Sequence, residues 1–434
     1  MPLSPVHKVM SDSSKGKVWG VLQWTFKLLS SFGLAAALFT LLAILVLFAT
    51  LAQVNIGIHD VKQDYFSSAF VVHRFFSEGT GGVPVPSRWG IPLIGGYPLM
   101  GLLFLNILVG GLIRIRKRPQ TVGVVISHFS MLILLAWGFI TNHFVDEGYM
   151  QIHEDDEVDY FVDYTKWDME LIKASGDNSR ETVYLLPHER LVELEREGSR
   201  RAFENTAWPF EISVTGYARN SAVEVIKPWQ TNMRVIDGYI LNRLEPKMEA
   251  EANIPGGYVE VKANGGQGLG EGIVWGFARQ PLTITDPEGD KWSLKMRKRI
   301  YHLPYSIKLR KFIKEDHPGV SMAKRYMSDV TKVEGGLEED VRIRMNHPLS
   351  SGEYTFYQAS FGPNAGDPPG TPVYTVLAVW KRPLMAGQWP LVSCITVAVG
   401  LLVHFIMKLS AYFKREGKRG TKSVPIEDVN TQGG

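Results

Sequence analysis

"TVGVVISHFSMLILLAWGFITNHF", residues 121–144, is an apolar run with one of its two histidines, His128, set well inside it and the other, His143, at its end. About 20 apolar residues are enough for a helix to cross the ~30 Å hydrocarbon core of a membrane, and this run is long enough. Three other stretches approach that length: 32–52, 91–113 and 390–407. The second of them carries five glycines and two prolines, so it is the least regular. From 145 to 385 no such run occurs and charged residues are frequent. The sequence therefore predicts four transmembrane helices and one large, water-soluble insertion.

The expected divisions are a segment 1–30, a first span 31–53, a loop 54–90 and a second span 91–113. A link 114–121, a third span 122–143, the insertion 144–388, a fourth span 389–407 and a tail 408–434 follow. The first span reads as a permanent helix, because thirty residues precede it and no small-residue cleavage site follows. Cys394 is the single cysteine, so there is no disulfide framework. With no CxxC or CxxCH, the chain is itself neither a dithiol oxidoreductase nor a c-type cytochrome.

The flanks give an orientation. Lys8, Lys15, Lys17 and Lys27 precede the first span, and Arg114, Arg116, Lys117 and Arg118 fill the link after the second. Lys408, Lys414, Arg415, Lys418 and Arg419 follow the fourth. Alternating spans put all three clusters on one side, which the positive-inside rule makes the cytoplasm. Both termini are then cytoplasmic and the insertion is extracytoplasmic, in a multi-pass protein of the plasma (inner) membrane. The net charge of +3 is the sum of these segregated clusters and gives no reason to expect nucleic acid.

Period-two alternation marks the insertion as mainly β. Phe210, Ile212 and Val214 share a face, as do Trp292, Leu294 and Met296, and Val376, Ala378 and Trp380. Turn-forming clusters (SGDNS, NIPGG, DPEGD, FGPNAGDPPG) separate the runs, predicting a sandwich or two small sheets. HERLVELEREGSRRAFE predicts a short helix with Leu191, Leu194 and Phe203 on its stripe. GGQGLGEG (265–272) lacks the Lys-Ser/Thr ending of a phosphate loop and reads as an ordinary loop. EDDEVD (154–159) does not have calcium-loop spacing and reads as a solvated acidic face. His153, His188, His302, His317 and His347 form no zinc pattern.

Of the eleven histidines, only His128 and His404 fall inside the apolar runs 32–52, 91–113, 122–141 and 390–407. His404 lies four residues from Lys408, close to water at the boundary. His128 lies about 15 Å along the helix from Arg118, at 1.5 Å per residue. Its helical neighbours Val124, Val125, Met131 and Leu132 are apolar. Ionisable groups at such depth are functional or paired inside a bundle. One reading pairs a neutral imidazole with a backbone carbonyl or Asn106. The other makes it a ligand of haem iron, with apolar walls for the porphyrin. One histidine fills one axial position, so the second reading requires a partner protein.

Four stretches resemble the ResB family, also called CcsB, of the system II cytochrome c assembly pathway. LFATLAQVNIGIHDVKQDYFSSAFV (47–71) is similar to the family's G-T-x-x-Q…G-I…Y-F-x-S pattern, with Ala49 in place of glycine. SHFSMLILLAWG (127–138) is similar to H-x-G-x-x-L-x-L-x-G, with the histidine kept and Ser130 in place of glycine. YHLPYSIKLRKFIKEDHPGVSMAKRYMSDVTKVEGG (301–336) resembles the L-P-F-x-I-x-L…F…Y-x-S-x-V block, and MNHPLSSGEYTFYQASF (345–361) resembles N-x-P-L…G…Y-Q-S-x-F.

The resemblance implies a cytochrome c assembly factor that works with a ResC/CcsA-type haem-handling membrane protein. The pair would hold haem b in the membrane between one histidine of each subunit, here His128. They would deliver it to the outer side for attachment to the CxxCH thiols of apocytochrome c, which a thioredoxin-like reductant keeps reduced. The tryptophan-rich motif of the partner is absent, which places the reacting site of the haem lyase complex on the partner. The β domain is expected to dock apocytochrome or the reductant. Membrane lipid is the remaining partner. The rival readings are a membrane anchor for a binding or sensor domain and a cytochrome b-type electron-transfer subunit. A diheme version of the latter needs four intramembrane histidines.

Overall fold

The computed structural model describes residues 19–78, 84–173, 182–196, 198–227, 233–319, 323–363, 368–382 and 388–420. The SGDNS turn, Lys8, Lys15, Lys17 and the tail beyond 420 lie outside the described residues. Among the described residues four helices are long and apolar enough to cross a membrane: Phe32–Phe66, Gly96–Ile113, Pro119–Phe144 and Trp389–Glu416. Their α-helical parts are α1 (Phe32–Val61), α2 (Gly96–Asn106), α3 (Val122–Phe144) and α4 (Trp389–Gly420). Contacts divide the chain into a helical unit (1–51, 63–144, 382–434) and a β-rich unit (52–62, 145–381).

Three helix boundaries differ from the sequence expectation, one of them at the end of α4, which runs on past 407 to Gly420. Residues 91–94 belong to the strand Pro84–Ile94, which pairs with Phe70–Glu78, and α2 starts only at Gly96. Apolarity alone does not separate strand from helix, and Pro92 would remove a hydrogen bond from a helix interior. At the other end, α1 outlasts its apolar run and continues through Gln53, Asn55 and His59 into a π-turn at Lys62–Phe66. Polar side chains end the hydrophobic signal there, but they do not end the backbone hydrogen bonding. The kink inside α1 is at Gly57 (φ 78°, ψ 164°), where a Cβ would come within 2.1 Å of the Met248 carbonyl oxygen. Only glycine tolerates both the dihedral and the approach. Arg219 then grips Asp60 through two N–H···O bonds of 2.9 and 2.8 Å, so the last turns of α1 are part of the β-rich unit.

Among the described residues the β-rich unit holds one ten-stranded antiparallel sheet. Its strands run in the order Leu337–Arg344, Ala323–Glu334, Lys291–Asp316, Glu157–Lys173, Asp146–His153, Tyr374–Lys381, Tyr354–Gly362 and Leu349–Ser351. Leu282–Thr285 and Thr182–Leu186 pair beside the two long strands. A four-stranded sheet (Gly268–Trp275, Gly256–Ala263, Phe210–Ala218, Arg200–Phe203) and a ribbon (Ser221–Val225, Tyr239–Arg243) complete the unit.

Of the two expected arrangements, a sandwich or two small sheets, the second does not form: one large sheet packs in part against the four-stranded one, because the two long strands each serve two cores. Trp167, Met169 and Leu171 of one strand and Trp292, Leu294 and Met296 of the other pack on Phe210, Ile212, Val214 and Val259. Further along the same strands, Phe161, Leu303, Ile307 and Leu309 join a second core with Met150, Val330, Leu377 and Val379. Ile343 from one edge strand and Phe356 from beside the other also enter this second core, so the sheet curls on itself. The long strand bends at two register shifts, Lys298/Ile300 and His302/Ile307. Pro304 lies in the second, where no ladder N–H is needed. Each fully buried Trp, Leu or Phe contributes about 1.5–3 kcal/mol by leaving water.

Other details also depart from the sequence reading. The buried face of the last strand is Leu377 and Val379, and Trp380 packs on Tyr357 outside the core. Both faces of that strand are apolar, so alternation could not say which points inward. The helix after Pro187 spans only His188–Val192, and Arg200–Phe203 is a strand, yet Leu191, Leu194 and Phe203 all reach the first core. GGQGLGEG is a hairpin turn followed by the strand Gly268–Trp275.

A polar clamp ties the long strands together. Arg299 donates to both carboxylate oxygens of buried Asp168 (2.8 and 2.7 Å) and to both of Glu189 (2.9 Å each). The hydrogen bonds from Arg299 hold Glu189 well below the usual carboxylate range, at about 2. Beside it, burial pushes the His188 imidazole below its ordinary value, and Nδ1 accepts the Trp167 N–H at 3.3 Å.

For both groups the unfolded chain takes the proton first, so acidification destabilises the fold. Below about pH 6.5 His188 costs stability. The stability held by Glu189 is present above about pH 4.5 and is lost toward about pH 2. His188→Gln is expected to flatten the upper window and Glu189→Gln the lower one, read from urea midpoints of the full chain in detergent. An unchanged pH profile in His188→Gln would count against the buried neutral tautomer.

Candidate functional site

Small residues make the seam between α3 and α4. Gly123, Ser127, Ser130 and Leu132 are the buried positions of α3. A Cβ on Gly123 would lie 2.4 Å from the Gly400 carbonyl oxygen, and one on Gly400 would lie 2.5 Å from Ser127 Oγ. The backbones can approach this closely only because nothing projects between them. Ser127 Oγ donates to the Gly123 carbonyl at 3.1 Å, with the Val397 carbonyl of α4 at 3.3 Å. Trp137 stacks on Trp389 at the far end, 6.2 Å between centroids. Ser130, one of the two departures from the family pattern, is buried with its hydroxyl satisfied by the Ile126 carbonyl at 2.9 Å. Ala49, the other, is also buried.

His128 follows Ser127, so its side chain leaves the seam about 100° further round the helix. It meets the last turn of the second span, Ile107–Ile113, which is wound as a π-helix. There Gly111 faces the imidazole: a Cβ at 111 would come within 2.8 Å of His128 Cγ. His128 Nδ1 is buried and makes no hydrogen bond, and the Val124 carbonyl one turn back offers only a weak polar contact. Asn106, the other possible partner, is committed elsewhere. Its Nδ2 donates to the Leu29 carbonyl at 2.7 Å and the Ser31 carbonyl at 3.1 Å, pinning the bend before α1.

The other histidines are placed differently from the sequence expectation. His404 packs its backbone against Gly123, and its Nδ1 is buried without a hydrogen bond, so it is not simply open to water. Because α1 is longer than expected it also includes His59, and His143 lies at the C-terminal end of α3, beyond the apolar run. His143 Nδ1 donates to the Phe139 carbonyl at 3.0 Å, and Tyr97 Oη lies 2.8 Å from Nε2.

Sequence reasoning passed over His73. It is buried on the hairpin between the first two spans, with Tyr65 Oη 2.6 Å from Nδ1 and Phe48 and Phe75 against its ring. The aromatics at 65, 66, 70, 75 and 76 were the available signal. In the β-rich unit the one grouping of possible metal ligands among the described residues is Asp286, Glu288 and Asp290, and no histidine joins it. Asp286 is occupied there by the N–H groups of Glu288 and Asp290 and by Trp292 Nε1, at 2.9 Å each.

The model of a family described as ResB-like matches residues 271–369. That segment contains six of the ten strands of the curled sheet, including the LPYSIKL bend and the edge strand Leu337–Arg344, and it contains none of the membrane helices. No curated protein matches the chain.

Proposed function

We propose, from the match of residues 271–369 to the model of the ResB-like family, that the chain works in cytochrome c biogenesis and holds haem b in the membrane for delivery to apocytochrome c. The observation that carries this reading is His128, an imidazole well inside an apolar helix whose buried Nδ1 has only the weak contact of the Val124 carbonyl. The surroundings suit the group. With Nδ1 protonated toward the Val124 carbonyl, Nε2 keeps its lone pair for a metal, the arrangement that metal-bound histidines use. Val125 and Leu132 supply apolar surface and Gly111 leaves room. Haem, when bound, supplies an iron that accepts that lone pair and vinyl groups that accept thiols.

In this reading His128 and a histidine of a ResC/CcsA-type partner would hold the haem iron between them. Iron held in this way would be shielded from oxygen, which would favour the reduced state that thioether formation needs. The basic flanks then lie in the cytoplasm, the β-rich unit faces the outer side, and apocytochrome or a thioredoxin-like reductant docks on it. Attachment itself occurs on the partner.

Cells making this chain, the partner and a reporter apocytochrome c are expected to accumulate haem-stained cytochrome. Omitting the chain is expected to abolish it. Equal staining without the chain would refute the assignment.

A further inference from the structure

We infer that the π-wound turn Ile107–Ile113 is a seat for the His128 imidazole and that Gly111 is the residue that sets its orientation. This rests on the reading of His128 as a haem ligand and extends it to a second helix. The winding is local: α2 ends at Asn106, and the N–H of Arg114 reaches back five residues to the Val109 carbonyl at 2.9 Å. Single π-turns inside membrane helices are uncommon and concentrate at functional positions.

This turn brings two consecutive glycines, poor helix formers, against two different neighbours. Gly110 meets the backbone of Ser30, where a Cβ would be 3.3 Å from Cα. Gly111 meets the imidazole, where a Cβ would be 2.8 Å from Cγ, 3.1 Å from Cδ2 and 3.2 Å from Cβ of His128. The contact falls on the root of the side chain. A collision at Cγ and Cβ cannot be relieved by swinging the far end of the ring, so either χ1 changes or the helices separate. Gly111 is itself buried, so no space lies behind it.

An imidazole held this way has one face fixed and its Nε2 aimed in one direction. Gly111 touches no iron. It acts through His128, as an outer-shell contact does, and disturbing such contacts lowers metal affinity by about 10–100-fold.

The test uses the full chain co-produced with its haem-handling partner and purified as a complex, read by absorption and electron paramagnetic resonance. Gly111→Ala is expected to reduce bound haem by about tenfold or more, or to convert the low-spin signal to high spin. Gly101→Ala, where a Cβ meets nothing within 4 Å, is expected to leave both readings unchanged. Gly110→Ala presses on Ser30 and is expected to leave the spin state unchanged.

A Gly111→Ala complex with full haem and the wild-type low-spin signal would overturn the inference. If Gly111→Ala fails to accumulate, the double variant Gly111→Ala/His128→Ala decides. Recovery of accumulation shows that the ring was the obstacle, and continued loss shows that Gly111 serves helix packing alone. A His128→Ala complex that keeps all its pigment would instead remove the ligand reading, whatever Gly111→Ala does.

Discussion

Replacing His128 with alanine is expected to lower the yield of holocytochrome c by at least about tenfold while the chain stays at its normal level in the membrane. The size follows from coordination chemistry. Removing a hydrogen bond behind a metal ligand already costs about 10–100-fold in affinity, so removing the ligand costs more. The unchanged level follows from the seam. Ser127, Gly123 and Gly400 hold α3 to α4, and His128 is not among the groups between those helices. Its buried Nδ1 makes no hydrogen bond, so alanine leaves no stranded donor behind. The check is haem staining of the cytochrome alongside immunoblotting of the chain. A parallel loss of both would show that the histidine is a packing element.

The second large effect is expected at Gly123. A leucine there would put Cβ 2.4 Å from the Gly400 carbonyl oxygen and 2.6 Å from the His404 nitrogen, both backbone atoms that cannot step aside. α3 and α4 would have to separate, exposing Ser127 and forfeiting the close packing that holds membrane helices together. Gly123→Leu is therefore expected to abolish accumulation of the folded chain. Gly138→Leu is the matched control, because on the same helix a Cβ at 138 meets nothing within 4 Å. Membrane fractionation and resistance to limited proteolysis distinguish the two. Equal levels of both variants would contradict the seam.

Much of this architecture was legible in the sequence, and the parts that were not have physical causes. The four spans stood out because lipid permits few polar residues, and the buried stripes of the β strands stood out where only one face was apolar, as at Phe210, Ile212 and Val214. The sequence was silent wherever the answer depended on a distant neighbour. Nothing local says that Leu377 and not Trp380 points inward, or that α1 continues past its apolar stretch because Arg219 binds Asp60.

His128 was conspicuous for its chemistry alone, as a lone imidazole in an apolar run. Its setting was not legible, because Gly111 in the sequence is one of five glycines in a span that looked merely irregular. The π-turn that brings Gly111 to the ring is a tertiary feature. His73 was missed for the opposite reason. It sits outside any span, and only the folded hairpin buries it against Tyr65 and Phe48.

The proposed function depends on whether the imidazole at 128 binds iron. The most direct measurement is the absorption spectrum of the purified complex carrying histidine or alanine at that position, recorded before and after adding free imidazole. The expected result is a low-spin spectrum for the wild type, little pigment for His128→Ala, and recovery of the low-spin bands when imidazole enters the emptied coordination position. A His128→Ala complex with the full low-spin spectrum and no response to imidazole would contradict it.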